Sequence, residues 1–185
     1  MTQERILYWI KEELSPDINK ALKQFPDCIY TEDWLSGMAY RETGFLIARY
    51  VDKKMSPDSI HSIIKGDYGR RDGELEKQYH GFGYWQIDIG SYPDFVKSGK
   101  WKDPFLTCEK AIHVLEEKRK YLSNHFDTTS LTTDQFNRAI TAAYNCGQGN
   151  VLKALTKGYD VDKYTHQGNY SKMVWEYRDA YSKLK

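Results

Sequence analysis

The chain has 185 residues, a length that suits one compact domain, spanning 1–185, with a core large enough to need no disulfide staples. Its 27 Lys plus Arg against 26 Asp plus Glu leave a net charge of +1, too balanced for a nucleic-acid or membrane-surface field, so neither is an expected partner. Aromatic residues at 15% exclude a disordered chain despite a mean hydropathy of -0.74, and 15 Tyr with 5 Trp provide side chains with an apolar body and a polar tip, suited to wet ligands such as sugars.

Ile6, Ile10 and Leu14 recur at helical spacing and predict a first helix. Ser15-Pro16 reads as an N-cap with Pro at the first helical position, ahead of Ile18, Leu22 and Phe25. Residues 1–30 thus form a helical N-terminal segment ahead of the stretch 31–185. A third helix starts after Thr31, with Trp34, Leu35, Met38 and Ala39 inward, and Ser56-Pro57 caps a fourth. From Gly66 to Gly83 the chain is rich in Gly and charge and predicts a loop or hairpin, with His80 in a loop. GFGYWQIDIG alternates as a short strand, with Trp85 and Ile87 on one face and Tyr84, Gln86 and Asp88 on the other. Asp103-Pro104 opens a further helix, Thr132-x-x-Gln135 is a capping box, and Gly147 ends that helix, with Asn150 free to cap the next. The stretch from Tyr170 to Leu184 is aromatic and helical. The expected class is α+β, predominantly helical, with one small strand or hairpin region.

No run approaches the roughly 18 apolar residues of a membrane span, so no transmembrane segment is expected. The N-terminal MTQERILYWIKEELSP carries charge on both sides of a short apolar stretch and does not read as a signal peptide. Synthesis in the cytosol and prior removal of a leader both fit. Cys28, Cys108 and Cys146 cannot all pair and lack metal-ligand spacing, which favours a reduced compartment. The five His form no ligand pair, which argues against a zinc amidase; no metal and no cofactor are expected.

Three places could carry chemistry. Glu42 falls on the apolar face of the third helix, with Gly44 expected to end that helix just beyond it. Burial and the helix C-terminus would both raise its pKa, as a general acid requires, whereas a salt bridge to Arg41 or Arg49 is the plainer alternative. Gly81 and Gly83 leave backbone bare beside Tyr84, Gln86 and Asp88, so that a flat ligand could approach; Asp88 as a turn cap is the alternative. Tyr144-Asn145 ends a helix before a Gly-rich turn and could present a hydroxyl and an amide, or simply close the helix.

RETG at 41–44, GFGYWQID at 81–88 and AAYNCGQGNV at 142–151 together resemble the goose-type lysozyme and soluble lytic transglycosylase superfamily. That family runs from a catalytic Glu, usually followed by Ser, through a Gly-(Phe/Leu)-Gly-x-Met-Gln segment to Ala-Tyr-Asn-Ala-Gly. The goose-type branch is the nearer, because Gln86-Ile87-Asp88 matches its ending. The resemblance implies a lysozyme-like fold, with a small β-region beside a catalytic cleft. It places Glu42 as general acid, Asp88 as a water-holding aspartate, and Asp67 of Gly66-Asp67-Tyr68-Gly69 as the second. About ten extra residues, Arg70 to Tyr79, follow that motif and keep Asp72 in competition for the role. Thr43, Tyr84, Gln86, Tyr144, Asn145 and Tyr170 fall on substrate-binding positions. Thr43 replaces Ser, Tyr84-Trp85 replace Leu-Met and enlarge the aromatic surface, and Cys146 replaces Ala as a small hydrophobe.

The implied activity is cleavage of the β-1,4 bond between N-acetylmuramic acid and N-acetylglucosamine by a monomeric enzyme. Water activated by Asp67 and Asp88 would make it a hydrolase. Aspartates that only bind sugar would make it a lytic transglycosylase with 1,6-anhydro products. A chitin-like glycan is an alternative substrate, and a non-catalytic glycan-binding scaffold is a further one. A phage-type endolysin, a delivered effector, or a secreted or periplasmic enzyme with its leader removed would each fit.

Overall fold

The apolar repeat at the start of the chain folds as α1 (Gln3–Glu13), burying Ile6, Leu7 and Ile10. Helix α2 (Ser15–Leu22) follows almost without interruption and buries Ile18 and Ala21. Ser15 does not cap it: Leu14 holds that position in a helical conformation, and the Ser15 hydroxyl instead donates to Glu32 Oε1 at 2.7 Å. Helix α3 (Glu32–Asp52) packs on both, and its run from Trp34 to Ala39 is buried on every side, as expected of a helix at the centre of a core.

Gly44 does not end α3. It sits in the helix interior, where a Cβ would make ordinary contact with the Tyr40 ring at 3.4 Å. Ser56 caps α4 (Pro57–Ile63) by accepting the Ser59 amide. The charged Gly-rich stretch forms an antiparallel hairpin, β1 (Lys65–Gly69) with β2 (Gln78–Phe82), and β3 (Ile87–Asp88) adds a third antiparallel strand in the order β1-β2-β3. Residues 83–86, expected in a strand, make a turn instead: Gly83 has φ 74°, Gln86 has φ 50°, and the Gln86 amide donates to the Gly83 carbonyl at 3.1 Å. Then come α5 (Pro93–Lys97), α6 (Pro104–His125), α7 (Thr133–Cys146), α8 (Gln148–Thr156) and α9 (Tyr170–Ser182). The capping box of Thr132 and Gln135 forms at the start of α7. Asn150 does not cap α8; it lies inside it and donates to the Cys146 carbonyl at 2.8 Å.

This computed structural model describes residues 1–184. Helix accounts for 67%, and one small antiparallel sheet is present among the described residues, so the protein is α+β and mostly helical. The chain divides into two compact units. One comprises Met1–Ala111 with the stretch from Tyr177 onward, the other Ile112–Glu176. The first holds α1–α5 and the sheet. Within the second, a buried carboxylate, Asp162, accepts the Ser171 amide and hydroxyl, both at 2.8 Å, and the Lys172 amide at 3.1 Å, so it organises the start of α9. Among the described residues no helix is long and apolar enough to cross a membrane.

Candidate active site

Glu42 is half-buried midway along α3. The helix runs on to Asp52, so no helix C-terminus lies beside Glu42. Its neighbour Thr43 is fully buried, with its hydroxyl 2.9 Å from the Ala39 carbonyl and 3.2 Å from the Tyr84 carbonyl. The single hydroxyl proton is shared between the two acceptors, which fastens the helix beside Glu42 to the turn at 83–86.

That turn is built for packing. Tyr84 is 1% exposed and Trp85 is fully buried, so neither enlarges an exposed aromatic surface. The Trp85 indole N–H donates to the Leu35 carbonyl at 3.0 Å. The Tyr84 hydroxyl lies 2.5 Å from His61 Nδ1, and its ring packs against Trp9 and His61. Burial drives the Tyr84 phenol far above its usual range. Burial also pulls His61 below its ordinary value despite Asp58, Asp17 and Asp103 pulling the other way, which favours the neutral imidazole at this contact.

The bare glycines have an internal explanation too. A Cβ on Gly66 or Gly81 would meet Gln86 Oε1 at 2.2 and 2.3 Å, and one on Gly83 would meet Thr107 Cγ2 at 2.5 Å. Gln86 therefore lies across Gly66 and Gly81, with its Nε2 donating to the Gly83 carbonyl at 2.8 Å. The space read as an approach for a ligand is occupied by the protein's own side chain.

The sheet gathers the charges. Arg71 Nη2 is 2.8 Å from Asp67 Oδ2 and Arg71 Nη1 is 2.6 Å from Asp88 Oδ1, so one guanidinium spans both aspartates. Asp72 stands in the exposed turn that follows, and Asp67 is the residue that shares a partner with Asp88. Burial alone would raise the Asp88 pKa, but Arg71 and the Ser91 hydroxyl and amide outweigh it and hold the carboxyl below its usual value. Asp67 has φ 50°, a left-handed conformation inside a strand, and it interrupts the ladder between the Gly66–Gly81 and Tyr68–Tyr79 pairs. Its carbonyl lies 2.8 Å from His80 Nδ1.

His80 is a strand residue, contrary to its expected place in a loop, and it is 1% exposed. Its Nε2 is 2.9 Å from both Glu74 oxygens. Both ring nitrogens thus face acceptors, which favours the imidazolium. Burial opposes the charge, but the Asp67 carbonyl and Glu74 prevail and raise the His80 pKa. The Arg71 amide, donating to Glu74 Oε2 at 2.7 Å, is the main reason the Glu74 carboxyl is held down at about 2. Arg71, Glu74 and His80 are absent from the residues expected at the site. Arg71 and Glu74 lie in the ten-residue insertion, and the available signal is its charged residues set between two Gly-containing strand segments.

The other expected residues belong to the second unit. Tyr144 is half-buried near the end of α7, and Asn145 is exposed, its side-chain oxygen accepting the His166 amide at 2.9 Å. Tyr170 is buried at the start of α9. Burial, with Asp162 adding to it, raises the Cys146 thiol to about 11, so it stays protonated at neutral pH. Among the described residues no group of three or more His, Cys, Asp or Glu side chains is arranged to hold a metal ion. The chain matches no protein-family model, and a search of curated proteins gives no match either.

Proposed function

We propose that this protein is a lysozyme-like glycosidase of the goose-type kind that cleaves the β-1,4 bond of peptidoglycan. The observation that carries the reading is the company Glu42 keeps. The helix bearing it is tied through Thr43 to the GFGYW turn, and the sheet in the same unit brings two aspartates onto one guanidinium. Two of the three segments that carry the resemblance, RETG and GFGYWQID, lie in these elements. In the proposed reaction Glu42 protonates the glycosidic oxygen, and water held by the aspartates adds to the sugar carbon.

A specific observation favours a second reading, the lytic transglycosylase. Both oxygens of Asp88 are already engaged, Oδ1 by Arg71 and Oδ2 by the Ser91 amide and hydroxyl at 2.8 and 2.9 Å. A carboxylate so occupied is a poor base. The deciding experiment is mass spectrometry of products released from purified peptidoglycan, with the Glu42→Gln protein as control. Free reducing ends support the hydrolase, and products lighter by one water support the transglycosylase. Absence of cleavage by the wild type, on peptidoglycan and on chitin oligomers, would overturn both.

A further inference from the structure

The two aspartates differ in what remains open on them. A carboxylate offers about four acceptor positions over its two oxygens. Asp88 receives three donors, spread over both oxygens. Asp67 receives one, Arg71 on Oδ2, with His80 Nδ1 at 3.6 Å from the same atom. Among the described residues none donates to Asp67 Oδ1, and the side chain is 63% exposed against 31% for Asp88. The backbone of Asp67 is also held in place from below. Its carbonyl is turned onto His80, which is itself buried and gripped by Glu74. The direction of the Asp67 side chain is set by this network and not by the pleat of the strand.

We propose that Arg71 is a positioning residue which pins Asp88 as an anchor and leaves Asp67 Oδ1 as the atom that takes the proton of the attacking water. The role rests on the glycosidase reading and assigns its parts. As the bond from the sugar carbon to the glycosidic oxygen breaks, Glu42 gives that oxygen its proton. A lone pair of the water oxygen forms the new bond to the carbon, and the surplus proton passes to Asp67 Oδ1, leaving a free reducing end. Glu42 finishes as carboxylate and Asp67 as acid, so charge is conserved. Arg71 takes no proton; it fixes the spacing of the two carboxylates and offsets the charge they bring together. The insertion Arg70 to Tyr79, which the resemblance does not cover, supplies both Arg71 and the Glu74 that grips His80.

The test measures kcat, KM and the share of products lighter by one water for the wild type, Arg71→Ala, Arg71→Lys, Asp67→Asn, Asp88→Asn and Glu42→Gln on purified peptidoglycan. Asp67→Asn is expected to lower kcat about 100-fold, the ordinary worth of a positioned base. Asp88→Asn should cost less. Arg71→Ala should lower kcat by roughly 10- to 100-fold at nearly constant KM, since misplacing a reacting group by about 1 Å has that effect. It should also raise the anhydro share, because a badly held water loses to the substrate's own hydroxyl, and Arg71→Lys should recover part of both. Unchanged rate and product partition in Arg71→Ala would overturn the role, as would a larger loss in Asp88→Asn than in Asp67→Asn. Wild-type products with only anhydro ends would overturn it and leave the glycosidase standing. Full activity in Glu42→Gln, or none in the wild type, would remove the reading and this role together. If Arg71→Ala does not fold, the comparison of the two aspartate variants decides.

Discussion

Two carboxylate–arginine clusters in this protein have opposite designs. In the second unit, Asp162 is 2% exposed in its side chain and takes the Ser171 amide and hydroxyl, the Lys172 amide, Arg138 at 3.2 Å and the Thr165 hydroxyl at 3.3 Å. Its acceptor capacity is full. In the hairpin of the first unit, Asp67 is mostly exposed and carries a single strong partner. A saturated buried carboxylate can only hold structure together, because every lone pair already has its proton donor. An exposed carboxylate with an open oxygen, set rigidly by its own backbone, retains the capacity to bind a water or accept a proton.

This contrast breaks first at Asp162. Asp162→Ala removes a fully engaged buried charge and strands Arg138 and three α9 donors, so a loss of about 3–5 kcal/mol is expected from chemical denaturation. Arg138→Ala is milder, about 1–2 kcal/mol, because the amide and hydroxyl donors to Asp162 remain and Arg138 is partly exposed. Asp67→Asn should change stability by no more than about 0.5 kcal/mol, as an exposed ion pair contributes little and Asn also tolerates the left-handed backbone at this position. Its cost should appear in activity instead. A loss of stability at Asp67 as large as at Asp162 would show that the two clusters do the same work.

Legibility in the sequence followed the range of the interaction. Caps at Ser56 and Thr132–Gln135 depend on residues three apart, and they form as read. The hairpin between Gly66 and Gly83 was visible as punctuation by glycine and charge. The glycines themselves were ambiguous, since a bare backbone serves a ligand and a neighbouring side chain equally. Only the fold reveals that Gln86 lies over Gly66 and Gly81, or that the Tyr40 ring lies against Gly44. The charge network is harder still: Arg71 reaches Asp88 seventeen residues away, a pairing that needs the third strand in place. Alternation sets Tyr84 and Trp85 on opposite faces, and the resemblance adds both to an aromatic surface, yet the turn from Gly83 to Gln86 breaks the period and sends both into the core.

The smallest expected effect is on pH, and it separates the clusters again. Glu74, with its folded pKa near 2 against an ordinary 4.5, lends stability above about pH 4.5 that is lost as pH falls toward 2. His80 has its folded pKa raised above 6.5, so its contribution is complete below about pH 6.5 and disappears as pH rises through the folded value. The pairing of Glu74 with His80 is therefore firmest between about pH 4.5 and 6.5 and loosens on both sides. Amide exchange of the β1–β2 hairpin, followed by NMR and corrected for intrinsic rates, should show greatest protection in that window. His80→Gln removes the alkaline loss, since an amide carries no titrating proton, while keeping a donor toward Glu74. A hairpin whose protection stays flat from pH 5 to 9 in the wild type would mean that the imidazolium does not hold Asp67 in its left-handed turn.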